Sequence, residues 1–518
     1  MRRNSAEGLK HALLLGLVVV VTCVAYARSF TVPFQFDDQP QIVENHAVYN
    51  PSLRSILYRA RARIIPLASL ALNYSLGGED PFGYHVVNFF VHLITSFLVY
   101  GLVLTLCRTP VLRNTAVARQ SSVVATAAAL LFASHPIQIQ AVTYVVQRMS
   151  SMAAMFCIGS VLLYVASRNR EFDSSRFPRV WYGGALLMAL GAFLSKENSA
   201  SLPLVLVLTE WTFYPARWSA RRLARLVPFF LLVLVIPICW TVFGPPARTP
   251  FASLGKETAE LLNTLPQAAQ PRHILSPIEY FLTQCTVVPR YLRLVFLPWG
   301  FNVDHDVSPV RGFSPAFIAG SAFLITIFAF GIYAVRRWPL AGFGILWMFL
   351  ALSVESTFLP LTDLMFEHRM YLAMAGITMV VANAFGWAVR RWPAPALSVG
   401  FACLALLTAL TVVRHGVWQT HESLWRDALA KSPAKARPYV NVGTYVHLAG
   451  KPDEAIRYYC KALEIDPDYS DTDDKLYRAL ADKSEDGSVR MDLDRVNDDG
   501  SRVVVVHDPC PSATSDGE

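Results

Sequence analysis

Apolar residues along this chain come in unbroken blocks rather than at the spacing of amphipathic helices or half-buried strands. The blocks lie near 10–27, 84–106, 121–134, 150–167, 180–194, 199–213, 225–243, 314–335, 340–354, 370–389 and 395–413. Such runs predict bilayer-crossing helices, about eleven of them by the length rule. Nothing in the pattern resembles the short alternating segments of a transmembrane barrel. A further segment, 275–298, is apolar but carries Pro289, Arg290 and Arg293. It predicts an interfacial or re-entrant helix, tolerated where buried against protein or lining a cavity, and able to cover a lipid-binding groove.

The polar connections alternate in charge. Stretches 107–120, 167–179, 214–225, 336–339 and 390–393 are rich in arginine, and Arg2 and Arg3 precede the first block. The positive-inside bias makes all of these cytoplasmic. The connections 28–83, 135–149, 195–198, 244–313 and 355–369, with everything after 414, then face outward. The N-terminus is expected in the cytoplasm and the C-terminus outside it. Arg54, Arg59, Arg61 and Arg63 run against the bias in the first outer loop. An interfacial helix whose arginines meet headgroups is the preferred reading for Arg54 and Arg59, with attraction for an anionic substrate as the sharper alternative. Ala25-Tyr26-Ala27 has the form of a signal-peptidase site, but the long apolar run before it favours an uncleaved anchor.

Composition fits this picture. Of 518 residues, 53% are hydrophobic and 16% charged, with a mean hydropathy of +0.36; soluble domains carry about a quarter charged residues. The expected fold class is all-α, a polytopic helical bundle. Residues 1–413 form its membrane domain, with a first outer loop at 28–83 and a large outer loop at 244–313. The net charge of +8 orients spans and is no nucleic-acid signature. Six of eight cysteines lie in or beside apolar blocks, and only Cys460 and Cys510, a candidate disulfide pair, fall in the polar tail.

Two adjacent carboxylates, Asp37 and Asp38, stand shortly beyond the first block in FQFDDQPQIVENHAVYN. There a base could meet a lipid-linked substrate. Other unusual polar residues gather on the same outward side: His135 and Arg148, Lys196 and Glu197, Asp304 and His305, then Asp363, Glu367, His368, Arg369 and Tyr371. Each alone is equally well explained as a headgroup anchor or structural ion pair. Their convergence favours a shared site, with Arg290 as a further lining candidate. Lys196, Arg369 and Arg148 suit a phosphate, arginine through its bidentate fork. His85, Asn88 and His92 share one helical face at a spacing poor for a metal, and read as a polar seam between helices. For the aspartates, the competing role is a helix N-cap or a loop turn.

After Arg414 the character changes. ARPYVNVGTYVHLAGKPDEAIRYYCKALEIDP, 436–467, follows the tetratricopeptide pattern, with Gly443 and Ala455 small where its two helices should cross. HESLWRDALAKSP resembles the second helix of a preceding repeat. An extracytoplasmic helical domain is expected over 414–483, acting as a cap or docking element. A disordered tail is expected over 484–518, apart from a short VVVV strand.

With these residues in view, the chain resembles the C-type glycosyltransferase superfamily. It is most similar to the branch joining a multi-span O-mannosyltransferase-like domain to tetratricopeptide repeats, with bacterial relatives. The carrying segments are FDDQPQIVENHAVYNPS, LASLALNYSLGGEDPFGYHVVNFFVHL, HPIQIQAVTYVVQR, SKEN, EHRMYL and WQTHESLWRDALAKSP, which cover most of 30–467. The resemblance implies an integral membrane protein, expected in a bacterial inner membrane. It implies a sugar donor on a polyprenyl or dolichyl monophosphate, reached from the extracytoplasmic face, and a protein or glycan acceptor. It also implies an acidic catalytic base in the first outer loop, where Asp37 and Asp38 match without the motif choosing between them. Arg369, with Lys196 and Arg148, would hold the leaving phosphate, His368 would donate to it, and a single displacement would invert the anomeric carbon. Some relatives use a divalent metal; Asp38 and Glu197 are conceivable ligands, but no spacing demands one and no obligatory metal is expected. The competing functions are an oligosaccharide ligase or polymerase using diphosphate-linked glycans, and a non-enzymatic scaffold recruiting partners through its repeats.

Overall fold

A computed structural model describes residues 2–174, 176–214, 219–243, 275–469, 472–485, 495–496, 502–503 and 510. Each of the eleven apolar blocks is helical. The main helices are α1 (Arg2–Tyr26), α2 (Leu53–Ala60), α3 (Ile64–Gly77), α4 (Pro81–Leu106), α5 (Ser121–Ser134) and α6 (Arg148–Ser174). Then come α7 (Arg179–Phe193), α8 (Leu202–Phe213), α9 (Ala220–Val233), α10 (Val235–Phe243), α11 (Pro277–Phe296), α12 (Pro315–Arg337), α13 (Pro339–Ser353), α14 (Met370–Arg391) and α15 (Pro393–Val417).

The helices of the eleven blocks are unequal in length. Among the described residues, seven helices are long and apolar enough to cross a bilayer, or eight if the pair 121–134 and 136–142, bent by 53° at His135-Pro136, is one span. The three blocks that fall short are α7, α8 and α13, with 15, 12 and 15 residues. At 1.5 Å per residue these reach only about 18–23 Å of a hydrocarbon core about 30 Å thick. Their ends are where charged residues enter. Lys196 and Glu197 lie between α7 and α8, and Glu355 follows α13.

Small residues let backbones approach inside the bundle. A Cβ on Gly376 of α14 would collide with the Gly344 carbonyl of α13, and one on Gly344 with the Gly376 carbonyl, the close contact that membrane helices achieve with glycine. The seam on α4 is present as expected. His85 bonds the Val32 carbonyl at 2.8 Å, Asn88 donates to the carbonyls of Val142 and Val145, and His92 bonds the Tyr371 hydroxyl and the Ala133 carbonyl. α11 opens with a Ser276–Glu279 capping box and buries Tyr280, Gln284 and Tyr291 against the connection 355–369. It is not among the helices long and apolar enough to cross.

The chain divides into two compact units, 1–301 with 308–416, and 302–307 with 417–518. In the second, α16 (His421–Lys431), α17 (Ala436–Leu448), α18 (Pro452–Ile465) and α19 (Thr472–Glu485) pack in succession. A Cβ on Gly443 would lie 2.8 Å from the Tyr459 ring, so a glycine is needed where α17 meets α18. Cys460 and Cys510 are joined as a disulfide. Arg495–Val496 pairs antiparallel with Arg502–Val503, a two-residue ladder that touches the start of the expected VVVV strand. Most of the expected disordered tail, and residues 244–274 of the large outer loop, lie outside the described residues.

Candidate active site

The connection after α1 turns sharply at its acidic pair. Phe36 has φ +48°, a left-handed conformation that a bulky residue adopts only when its surroundings hold it there. Its ring stacks on Tyr144, and the Asp37 amide donates to the Tyr144 hydroxyl at 2.8 Å. A π-helical turn, Gln39–Val43, follows at once. The kink sends the two carboxylates in different directions.

Asp38 is fully buried and faces the start of the helix beginning at Val145. Its Oδ1 accepts from the Val146 N–H at 2.7 Å, and its Oδ2 from the N–H groups of Gln35 at 2.9 Å and Val145 at 3.4 Å. It therefore caps first-turn amides that have no partner inside the helix. Burial pushes its carboxyl up to about 7 despite these donors. That value alone would nominate a general base. Reach is decided before pKa, however, and both oxygens are spent on backbone. The structure thus places Asp38 in the capping role, and of the pair it is Asp37 that faces the cavity.

Asp37 instead lines a cavity of about 460 Å³ in the first unit, together with Arg59, Arg63, Lys196, Glu355, His368 and Arg369. The Tyr144 hydroxyl is its hydrogen-bonding neighbour, and burial beside the two aspartates holds that phenol well above its ordinary range. The cations are held in place by neighbours. Lys196 pairs with Glu355 at 2.6 Å and donates to Ser150 at 3.0 Å. Arg63 pairs with Glu197 at 3.0 Å. Arg369 donates to the carbonyls of Asp363 at 2.6 Å and Leu364 at 3.2 Å, and reaches the Tyr280 hydroxyl at 3.5 Å. The Lys196 and Arg369 charges keep Glu355 below its usual 4.5, as Arg63 does Glu197; burial lowers Lys196 despite its partner. His368 stacks on Phe366, its amide donates to Gln140, and its ring Nδ1 is buried without a protein partner. Arg59, Arg63, Lys196 and Arg369 share the lining with Asp37, Glu355 and Asp363, so the cavity offers cations and an unsatisfied imidazole nitrogen to an anion beside carboxylates.

Other expected members lie elsewhere. Arg148 is buried, and its donors go to Asn88 (2.6 Å), Asn73 (2.7 Å), Ser69 (3.1 Å) and the Tyr84 carbonyl (2.9 Å). It clamps α3, α4 and α6 and leaves nothing for a phosphate. His135 shapes the turn after α5, its Nε2 bonding the Val295 carbonyl and its Nδ1 accepting from Ile137. Tyr371 is a seam residue bonded to His92. Glu197 and Glu367 stand beside lining residues without lining the cavity, and Arg290 is exposed on α11. Asp304 and His305 belong to the second unit, where Asp304 accepts from Lys435 and Arg437. Conversely, Arg59, read as a headgroup anchor, lines the cavity, and Glu355 went unnoticed. The signal for Glu355 was an acid directly after an apolar block.

For a divalent metal, the residues do not fit. Asp38 is consumed by amides and Glu197 by Arg63, and no group of three or more His, Cys, Asp or Glu side chains is placed to hold an ion among the described residues.

Fold and cavity together define a helical membrane protein with a charged chamber built from sequence-distant connections. The chain is similar over most of its length to proteins named protein O-mannosyl-transferases. It is 24% identical to F38B6.6 of Caenorhabditis elegans, covering 90% of this chain and 64% of that protein. It is 25% identical to TMTC4 of Homo sapiens, with 86% and 65% covered, and 24% identical to Tmtc3 of Drosophila melanogaster, with 90% and 57% covered. The resemblance drawn from the motifs is thereby upheld. The chain spans less than two thirds of the length of these relatives. No family model matches it, and no solved structure matches it.

Proposed function

We propose that this protein is a membrane glycosyltransferase that moves a sugar, with mannose favoured by the relatives' names, from a polyprenyl monophosphate to an acceptor hydroxyl, a protein side chain being favoured. The observation that carries this is the meeting of Asp37 with Arg369 and Lys196 in one cavity. In the reaction, the acceptor oxygen attacks the anomeric carbon while its proton passes to the Asp37 carboxylate. The bond from that carbon to the phosphate oxygen breaks, and polyprenyl phosphate leaves. Arg369 and Lys196, with Arg59 and Arg63, stabilise the charge growing on that phosphate, and His368 Nδ1 completes its hydrogen bonds. One displacement inverts the anomeric centre.

In this reading the cavity faces the extracytoplasmic side, with the N-terminus in the cytoplasm of a bacterial cell. The disulfide in the second unit supports an oxidising compartment for residues after 414, and we read 414–483 as a tetratricopeptide-like helical domain. Purified protein in liposomes, given polyprenyl-phosphate mannose and a Ser/Thr-containing peptide, should yield an α- or β-linked mannosyl peptide of configuration opposite to the donor. Transfer that requires a diphosphate-linked glycan, or no transfer from any lipid-linked sugar, contradicts the proposal.

A further inference from the structure

Helix α14 has a cavity at each end. His368 and Arg369 line the one above, and Arg390 lines a second, of about 620 Å³, with Arg337 from the end of α12. At 1.5 Å per residue, Arg369 and Arg390 are about 32 Å apart along the helix, the thickness of a bilayer core. The two cavities therefore lie toward opposite faces of the membrane.

Two copies of one hexapeptide contribute to the second cavity, which residues between 112 and 124 also line. AVRRWP occurs at 334–339 and again at 388–393. In both copies the tryptophan ends a helix with nearly the same backbone, φ −137° and ψ 72° at Trp338, φ −140° and ψ 74° at Trp392, its N–H returning to Ala334 or Ala388. Each copy sends one arginine into the cavity. Among the described residues neither Arg337 nor Arg390 has an ion pair or hydrogen bond, and no Asp or Glu lines the cavity. Gln120 and Asn383 add polar atoms, while Val124, Phe330 and Val380 make the rest apolar. Trp338 and Trp387 are half-exposed at 51% and 56%, as aromatic rings at a headgroup level are.

We propose that this cavity binds the phosphodiester headgroup of an anionic phospholipid from the leaflet opposite the candidate active site. Two unneutralised guanidinium groups beside apolar walls match a phosphate ester carrying acyl chains. The positive-inside bias accounts for arginine at these helix ends, and the cavity adds that one from each end lines the same space with no acidic residue there. The assignment stands whether or not the glycosyltransferase reading does.

Full-length protein in mixed micelles, offered equal phosphatidylglycerol and phosphatidylcholine, is examined by native mass spectrometry. Bound phosphatidylglycerol should exceed phosphatidylcholine about tenfold. The Arg337→Gln/Arg390→Gln protein should lose that preference, whereas Arg336→Gln/Arg391→Gln, the same charge change on arginines outside the cavity, should keep it. Equal binding of the two lipids by the wild type, or equal loss in both double variants, overturns the proposal. Displacement of phosphatidylglycerol by millimolar inorganic phosphate would make this a free-anion site and overturn it likewise. If the Arg337→Gln/Arg390→Gln protein does not fold, wild-type melting decides. Stabilisation by phosphatidylglycerol but not by phosphatidylcholine or inorganic phosphate supports the site, and equal stabilisation by all three refutes it.

Discussion

The polar seam between α3, α4 and α6 and the cavity beside it use the same residue types to opposite ends. In the seam, Arg148 has every donor group satisfied by an amide, a hydroxyl or a carbonyl, and Asp38 has both oxygens satisfied by backbone N–H groups. In the cavity, Arg369 and Lys196 are anchored through some of their donors while lining open space, and His368 keeps a buried nitrogen without a partner. Burial and charge are common to both regions. What separates them is whether the hydrogen-bonding capacity is already used: the seam is filled by its own partners, and the cavity keeps capacity for a ligand.

That contrast can be broken by substitution. Arg369→Gln removes a preorganised cation and should lower turnover per folded molecule about 10²–10³-fold, an effect larger than the fall in melting temperature from freeing the Asp363 and Leu364 carbonyls, measured by sugar transfer in liposomes. Arg148→Gln should do the reverse. It strands Asn88, Asn73 and the Tyr84 carbonyl, costing about 3 kcal/mol of stability or more, seen as a lower melting temperature or loss of folded protein in detergent. Any folded fraction should keep near-normal turnover per molecule.

Two smaller effects sharpen the comparison. Glu197 and Glu355 are held below their usual 4.5, so the stability they contribute is complete above that pH and is lost as the pH falls through their lowered values. Melting measured from about pH 5 to pH 3 should fall more steeply for the wild type than for a Glu197→Gln variant. Arg59 is exposed at the cavity rim. Arg59→Gln should raise KM for the anionic donor only about two- to fivefold at low salt, and the difference should shrink at high salt.

Much of the fold was legible because apolar blocks need only be long to become helices. The unequal length of those helices was less legible, since α7, α8 and α13 are apolar but short, and charged residues beyond their ends line the cavity. Part of the cavity lining was legible as charged residues in the connections between apolar blocks. Residue type could not divide Asp37 from Asp38, because a left-handed Phe36 decides which way each points. Nor could it divide Arg148 from Arg369, because the acceptors that consume Arg148 come from α3 and α4, remote in sequence. Arg59 was not legible as a lining residue for the converse reason: the rest of the lining arrives from distant connections.

The central claim concerns two neighbouring aspartates with different work. Sugar transfer per folded molecule, compared for Asp37→Asn and Asp38→Asn in the same liposomes, tests it most directly. Asp37→Asn should fold normally and lose about 10²–10⁴-fold in turnover. Asp38→Asn should fold poorly, yet each folded molecule should work within about tenfold of the wild type. A folded, inactive Asp38→Asn beside an active Asp37→Asn would contradict the account.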